Sequence, residues 1–386
     1  MIQKYTTESN VHSRQAWIVG GGIASLAASI FLIHEAGFTT GHIHILESHP
    51  RPGGIVNSFG DAATGATRTR YTQYESIVQP ITEYLQKEGI DFRLNDEVID
   101  VIVDQESQPN SVTQIKYRTP TGAELHVTVE PNDLVFIQLG ALSSKTVTAT
   151  NVTPLDMASI SSQDGIWPLW RRLAAKTPSF GNPSTFSTNI KDSTVITFTV
   201  TLNGSDFLER LRKLVESPAD FQTVIYLANS RWRVSLDIPC QPVIEGQPED
   251  VHVIWGWALQ PEEEGSYVKK PMSSCTGEEI MTELIEHLHF PLMPILNKSI
   301  TIPCVKPLLT APLLPCSDGD RPPIVPSSLS NVANLGQFVE MANETTFSME
   351  YSVRSAHIAV TRLMGIDKAV PEIRRSHVAE LLDLLS

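Results

Sequence analysis

Three consecutive glycines near the N-terminus constrain the fold of this chain more than any other feature. Gly20, Gly21 and Gly22 follow the apolar run Ala16–Val19, and an uncharged stretch continues to residue 33. This order predicts a strand, a tight turn and a buried helix, which together begin a nucleotide-binding βαβ unit. A secretory signal is the alternative for an uncharged stretch, but the residues before it are polar rather than compactly basic.

The positions of the glycines and of one acid indicate a dinucleotide site. Gly20 allows the tight turn, and Gly22 lets the backbone approach a pyrophosphate at the helix N-terminus. Ser25 stands at the third motif position, where a glycine would pack helix and strand more closely. A second strand, predicted at 42–47, ends in Glu47, where an acid accepts hydrogen bonds from ribose hydroxyls. A βαβ unit without a ligand is the alternative.

A second glycine pair narrows the choice of cofactor. Gly53 and Gly54 follow Glu47 closely in the sequence. An acid at a strand end followed by a glycine pair is typical of flavoproteins, because glycine lets the chain pass close to the FAD pyrophosphate. We therefore predict FAD as the cofactor, with Gly54 among its contacts.

Charge and cysteine content exclude several other functions. The 29 Lys and Arg against 43 Asp and Glu give a net charge of −14, which disfavours nucleic acid and anionic lipid surfaces as partners. The 4 cysteines include no C-x-x-C pair, so neither a zinc site nor a disulfide framework is predicted. We expect a cytoplasmic protein with a small-molecule partner and no integral membrane segment, and we leave a homodimer open.

The order of predicted elements indicates an α/β protein. A discontinuous Rossmann-like FAD-binding domain would contain an inserted β-rich substrate domain. The predicted boundaries are 1–60 and 61–145 for the first parts of the FAD domain, 146–325 for the substrate domain, and 326–386 for the C-terminal part.

Apolar periodicity and turn residues predict the remaining elements. The helix at 276–289 begins with Thr276 and Glu279, a capping sequence. The predicted strands are 91–104, 111–129 (two strands around a turn at 120–122), 133–137, 193–202, 223–237, 251–259 and 334–340. The predicted helices are 75–89, 167–176, 204–217, 276–289 and 351–364.

Nine segments of the sequence form a recognisable set that runs nearly end to end, at 19–28, 73–76, 197–202, 247–251, 269–272, 275–280, 319–322, 336–340 and 350–356. They resemble the oleate hydratase family, also called the myosin-cross-reactive-antigen family. The resemblance implies an FAD-binding enzyme that hydrates isolated carbon–carbon double bonds of fatty acids without net redox change. In such an enzyme the flavin is mainly structural and electrostatic.

The chain departs from this family at its catalytic segment. In the family, a segment between the glycine pair and a Tyr-x-Gln-Tyr sequence carries two catalytic residues. They are the acid that activates water and the tyrosine that protonates the alkene. Here only residues 55–70 separate Gly54 from Tyr71, so that segment is absent and no residue inherits either role. Gln73 is what remains of the family's polar substrate contacts. It is our substrate-contact candidate, with capping of the following helix as the alternative.

The family's clamp for a fatty-acid carboxylate is also lost. Asp237, Pro239 and Val243 stand where the family has a threonine, an asparagine and a histidine. Asp237 would repel a carboxylate, and the other two side chains donate no hydrogen bond. Asp237 could be a new general acid or base, although a turn aspartate shortly before Pro239 is the alternative.

The remaining cofactor candidates lie after apolar runs. Gln337, Phe338 and Val339, with Glu340 beyond them, follow a predicted strand near the place where flavoproteins cover the isoalloxazine. A plain strand end is the alternative for this segment. Val98, on the strand predicted at 91–104, completes the predicted cofactor site. The histidine pairs at 42 and 44 and at 287 and 289 have no acid at metal-binding spacing, so no metal site is predicted.

Three functions stay open from the sequence. The first is an FAD-binding enzyme that adds or removes water across a double bond of a lipid-like or polyketide-type metabolite, or isomerises that bond, in specialised metabolism. The second is an FAD-dependent oxidase or desaturase, and the third is a non-catalytic flavin-binding homologue.

Overall fold

The computed structural model describes residues 13–54, 71–104, 109–142, 146–160, 166–216, 222–341, 344 and 348–371. Its strands are β1 (Ala16–Val19), β2 (Ile43–Glu47), β3 (Asp91–Leu94), β4 (Glu97–Asp104), β5 (Ser111–Arg118), β6 (Glu124–Thr128), β7 (Leu134–Gln138), β8 (Val147–Thr148), β9 (Val195–Asn203), β10 (Thr223–Tyr226), β11 (Val234–Ile238), β12 (Val251–Ala258), β13 (Ser299–Lys306) and β14 (Val332–Leu335). Its α-helices are α1 (Ile23–His34), α2 (Gln79–Lys87), α3 (Trp167–Lys176), α4 (Ser184–Ser187), α5 (Ile190–Ser193), α6 (Asp206–Leu214), α7 (Gly277–Leu288), α8 (Leu292–Leu296) and α9 (Met349–Leu363).

The first sheet has five strands in the order β14-β7-β1-β2-β3, and each neighbouring pair is parallel. The central strand β1 is apolar throughout, and β7 is apolar up to its last residue, as expected where both faces of a parallel sheet are covered. Helices α1 and α9 pack together in the core on one side of it. The unit β1–α1–β2 is the βαβ unit predicted from the glycine turn, and the predicted α/β class with a Rossmann-like sheet is confirmed.

The single strand predicted at 91–104 is two strands that belong to different sheets. Asn95 has a φ of 63°, and the turn that it makes separates β3 from β4. β3 joins the parallel sheet, whereas β4 pairs with β5 in an antiparallel sheet of three strands, β4-β5-β6. Asparagine tolerates this left-handed conformation better than most residues, so the break is chemically reasonable.

The third sheet has six strands in the order β10-β11-β12-β9-β13-β8. β9 lies inside it and pairs antiparallel with both β12 and β13. Alternate residues of its strands form one core with α6, α7 and α8. Strand β13 is absent from our prediction, because Pro303 interrupts its apolar run and proline disfavours an interior strand.

An aromatic cluster on α3, α4 and the segment after β14 fills the space beside the parallel sheet. Trp167, Trp170, Phe186 and Phe338 are all buried, and their ring centroids lie 5.1–5.9 Å apart. Trp257 of β12 packs against the same core. The cluster therefore connects the parallel sheet with the six-stranded sheet.

No helix in the described ranges is both long enough and apolar enough to cross a membrane.

Candidate cofactor and substrate site

The carboxyl ends of four parallel strands meet at one edge of the first sheet. Gly20 follows β1, Glu47 ends β2, Gln138 ends β7 and Gly336 follows β14. Open α/β sheets bind their ligands in the crevice outside this edge. The strand order thus brings together the sequence-predicted residues Gly20 and Glu47, and it places Gly336 directly before the predicted residue Gln337.

The glycine turn has the backbone that a dinucleotide site requires. Gly20 has a φ of 91°, which only glycine adopts readily. A Cβ at Gly21 would lie 2.8 Å from Glu47 Oε2, and one at Gly22 would lie 2.4 Å from Gln138 Oε1. Gly22 is the N-cap of α1 and no side chain caps the helix. The N–H of Ser25 donates to the carbonyl of Gly22 at 3.0 Å, so the N–H groups of Ile23 and Ala24 are the ones suited to an anion.

Glu47 supports the glycine turn directly. Its carboxylate is buried, and Oε2 accepts a hydrogen bond from the backbone N–H of Gly21. Oε1 accepts from the N–H of His49 at 2.8 Å and from Ser48 Oγ at 3.2 Å. A ribose hydroxyl would therefore be bound by an acid whose position is already fixed. The assignment of Glu47 to ribose stays a prediction.

The second glycine pair and Val98 lie near the same turn. The N–H of Gly53 donates to the carbonyl of Gly21 at 2.8 Å, and a Cβ at Gly54 would lie 3.6 Å from Gly22 Cα. The N–H of Asp96, two residues before Val98, donates to the carbonyl of Glu47 at 3.0 Å. These contacts bring the two predicted contacts Gly54 and Val98 to the Glu47 side of the crevice.

Gln138 lies at this edge but was not among the sequence-predicted site residues. Its side chain lies against the glycine turn, and Ser25 Oγ donates to its Oε1 at 3.3 Å. The sequence signal was available, since a polar residue ends the otherwise apolar β7 at the edge where ligands bind. Ser25 itself is fully buried, so its hydroxyl serves this contact.

The strand predicted at 334–340 ends earlier, because Gly336 has a φ of 100° after β14. Gln337 and its two successors therefore lie in a turn. The Nε2 of Gln337 donates to the carbonyl of Ser348 at 3.1 Å, while its buried Oε1 has no partner among the described residues. Arg321 donates to the Gln337 carbonyl at 2.9 Å and holds the turn in place.

The next two predicted cofactor contacts have buried side chains. Phe338 belongs to the aromatic cluster, and Val339 packs in the core beside α1 and α9. The Val339 carbonyl also accepts from Tyr351 Oη at 2.7 Å. Any contact of these two residues with a cofactor would therefore be made through the backbone.

The residues at this edge fit FAD. The uncapped N-terminus of α1 suits a pyrophosphate, and Glu47 suits a ribose. The unpartnered Oε1 of Gln337 is a buried acceptor for which a cofactor donor would be a suitable partner.

Gln73 lies just before a π-helical turn (Tyr74–Val78) that leads into α2. It is buried, and its side chain makes no capping hydrogen bond at this helix. Thr72 Oγ1 performs the capping, because it accepts from the Glu75 N–H at 3.3 Å. The Thr72 N–H also donates to the carbonyl of Val243 at 2.9 Å, so this segment lies against the loop that follows β11.

Asp237 is not a turn residue, so the alternative stated for it is wrong. It lies inside β11, paired with Val224 on β10 and with Trp255 on β12. The pairing with both neighbours extends the strand to Ile238, directly before Pro239. Asp237 is 5% exposed, and burial raises the pKa of its carboxyl above the usual value. Hydrogen bonds from Gln222 Nε2 to both oxygens, each 3.0 Å, partly oppose that rise in pKa.

Asp237 belongs to the open face of the six-stranded sheet, the face opposite α6 and α7. Because side chains alternate along a strand, Leu236 faces the helices and Asp237 faces away from them. Trp255 and Thr199 lie next to Asp237 on this face, in register on β12 and β9, and both are half-buried. Within the described ranges, no group of three or more His, Cys, Asp or Glu could hold a metal ion.

The chain is similar to two bacterial enzymes. It is 30% identical over 316 residues to the oleate hydratase of Streptococcus pyogenes serotype M49 (strain NZ131), a match that covers 78% of this chain and 53% of that protein. It is 27% identical over 331 residues to the linoleate hydratase of Lactiplantibacillus plantarum, covering 78% and 57%. The chain therefore spans about half the length of the curated relatives it matches.

A solved structure with a similar course of the chain is that of 2,6-dihydroxypyridine-3-hydroxylase from Arthrobacter nicotinovorans. Its TM-score is 0.47 at 11% identity, over 93% of this chain and 86% of that chain.

A family profile matches most of the chain. The MCRA family matches residues 13–66 and 61–361, which include both the glycine turn and the six-stranded sheet. The abbreviation denotes the myosin-cross-reactive antigen, the same family that the nine sequence segments resemble. The chain belongs to the MCRA family, to which oleate hydratases belong.

Proposed function

We propose that this protein binds FAD and acts on a carbon–carbon double bond of a lipid-like or polyketide-type metabolite in specialised metabolism. The reaction adds or removes water across that bond, or isomerises it. One observation carries the proposal. Trp257, on the open face of the six-stranded sheet, packs in the same core as Phe338, which follows the cofactor edge of the parallel sheet. A substrate on this face would therefore lie beside the cofactor.

The cofactor would be held by residues that the structure brings to one edge. Gly20, Gly22 and Gly54 leave room for the pyrophosphate, and Glu47 accepts from the ribose. Gln337 offers a buried acceptor at the opposite end of the crevice. Bound FAD would supply a planar ring that fixes the shape and electrostatics beside the substrate.

The substrate would be uncharged where a fatty acid carries its carboxylate. Asp237 and Val243 are both buried at the former clamp, and neither offers a positive charge to an anion. The half-buried Trp255 offers an apolar aromatic surface to an unsaturated chain or ring. Gln73 is a neutral amide near the loop after β11, and it can orient a carbonyl or a water molecule without adding charge.

The chain's own residues then perform three tasks in the reaction. The aromatic cluster around Phe338 excludes water from one end of the open face. Trp255 stabilises positive charge that develops when an alkene carbon is protonated. The β10 edge of the face, at the half-exposed Val224 paired with Asp237, admits the substrate.

Purified protein provides the test. We expect a yellow protein with bound FAD that converts an unsaturated, uncharged substrate and transfers deuterium from deuterated water into a carbon–hydrogen bond. We expect no bleaching of the flavin by that substrate under anaerobic conditions. Bleaching would favour an oxidoreductase, and folded protein that binds no flavin would contradict the proposal.

A further inference from the structure

We propose that Asp237 is the acid–base residue of this enzyme and exchanges a proton with a carbon atom of the bound alkene. The inference rests on the proposed function, because it names the proton donor of that same site. The first observation is the position of the Asp237 carboxyl. A buried carboxyl lies on the open face of the sheet, next to a tryptophan on the neighbouring strand.

The side chains around Asp237 on the open face show where a substrate would reach it. Ser235 and Thr197 are buried where Trp257 meets the aromatic core. Asp237 and Trp255 lie in the next row, about 7 Å further along each strand. Val224, paired with Asp237 on the edge strand β10, is 52% exposed. Asp237 therefore lies beside the exposed β10 edge of this face, within reach of a substrate that enters from that edge.

Among the residues that the structure describes, none places a countercharge against Asp237. No ion pair involving Asp237 is formed with the described residues, and Gln222 is a neutral donor. On the flanking strands the same face presents Val224, Tyr226, Val253, Trp255 and Trp257. Of these only Tyr226 is titratable, and its hydroxyl is bound by Arg233. Farther away, beyond β12 and β9, the face carries Cys304 and Lys306 on β13.

A carboxyl without a countercharge keeps its proton to higher pH than an exposed aspartate. Burial raises the pKa of Asp237, as described above, so at a given pH a larger fraction of this carboxyl is protonated than of an exposed aspartate. A purely structural aspartate at this depth would be expected to have a cationic partner or several backbone donors. Glu283 is such a case, since it is fully buried and accepts from three backbone N–H groups.

An isomerisation needs no reactant other than the alkene, because Asp237 first donates a proton and then takes one back. The Asp237 O–H bond breaks while the alkene π pair forms a new C–H bond, which leaves a carbocation beside Trp255. The carboxylate then takes a proton from the neighbouring carbon, and the electrons of that C–H bond form the shifted double bond. In hydration, water instead bonds to the cation through oxygen, and its surplus proton returns to the carboxylate.

The test compares near-isosteric variants of the full chain with FAD bound. The probes are linoleic acid, methyl linoleate and β-ionone in deuterated water, with deuterium in the product measured by mass spectrometry. We expect Asp237→Asn to lose at least about 100-fold in turnover while flavin content and melting temperature stay near those of the wild type. Asp206→Asn makes the same change on the exposed side of α6, and we expect normal turnover.

A second variant tests the acid role through pH. Because the Gln222 hydrogen bonds lower the pKa of Asp237, Gln222→Leu should raise it. An acid must be protonated to donate, so turnover limited by donation falls as pH rises through this pKa. The falling limb of the profile should therefore move to higher pH in Gln222→Leu. A merely structural role predicts no such movement.

Infrared spectra supply a measurement that does not depend on finding a substrate. The wild type should show a protonated carboxyl band that persists above the usual aspartate pKa of about 3.9 and is missing in Asp237→Asn. A band that disappears in the usual range would overturn the proposal. So would normal turnover in Asp237→Asn with bound flavin, which would leave the proposed function intact. Wild type without flavin or turnover would contradict the proposed function instead.

Discussion

Replacing Glu47 by Gln should separate the structural role of this carboxylate from its role toward the cofactor. Oε2 accepts from Gly21, and Oε1 accepts from His49 and Ser48. A glutamine keeps the shape but turns one acceptor oxygen into an N–H donor. If its oxygen faces Gly21, its amide nitrogen meets the N–H of His49, so two donors oppose each other.

The cost follows from the hydrogen bonds lost. One buried backbone N–H loses its acceptor, which costs about 1–3 kcal/mol in the free energy of unfolding of the flavin-free protein. If the carboxylate also accepts from a ribose hydroxyl, flavin binding loses a similar amount. That loss raises the dissociation constant of FAD roughly 5- to 150-fold, since each 1.4 kcal/mol is a factor of ten.

Two measurements distinguish these effects. Thermal unfolding of the flavin-free protein reports the contact with the glycine turn, and fluorescence titration with FAD reports the ribose contact. Glu97→Gln is the matched control. Glu97 is 45% exposed in a surface ion pair with Arg118 and should change neither quantity measurably. A normal FAD affinity in Glu47→Gln would refute the ribose assignment, and an unchanged melting temperature would refute the argument about the turn.

Three further outcomes are expected. Gln73→Leu, which keeps the size and removes the hydrogen bonds, should abolish turnover with near-normal flavin content and melting temperature. A lower melting temperature with unchanged turnover per folded molecule would contradict the substrate role. Glu283→Gln should lower the free energy of unfolding by about 2–4 kcal/mol in urea, because one of the N–H groups of Ser266, Tyr267 and Val268 then faces an amide donor. An unchanged urea midpoint would show that these bonds contribute little. Oleate should give no hydroxy fatty acid by mass spectrometry, and a robust yield would contradict the loss of the carboxylate clamp.

Local signals in the sequence predicted the elements that form from local interactions. The capping sequence Thr276 and Glu279 begins α7 with both reciprocal hydrogen bonds. Gly20 and Gly22 predicted the strand–turn–helix at residues 16–34. In each case the determining atoms lie within a few residues of each other, so a single sequence contains the required information.

Elements that depend on distant pairing could not be predicted in this way. β13 contains Pro303, yet it lies between β9 and β8 because both partners hold it. Asp237 precedes Pro239 closely and was assigned a turn as the alternative, but strand pairing on both sides keeps it extended. The burial of its carboxyl depends on the assembled sheet. The sequence therefore identified Asp237 as a candidate but could not predict its chemical environment.

Gly22 in the glycine turn has two physical explanations that the sequence motif alone does not separate. Gly22 was assigned to the close approach of a pyrophosphate. In the structure, however, a Cβ at this position would collide with Gln138, whether or not a cofactor is bound. The end of the Gln138 side chain thus also favours a glycine here, although this flexible amide can shift, so the glycine alone does not distinguish packing from a ligand. Two other features favour a cofactor more strongly. Within the described residues, no side chain caps the N-terminus of α1, and the buried Oε1 of Gln337 has no hydrogen-bond donor. Packing explains a glycine, but it does not explain a buried acceptor without a donor.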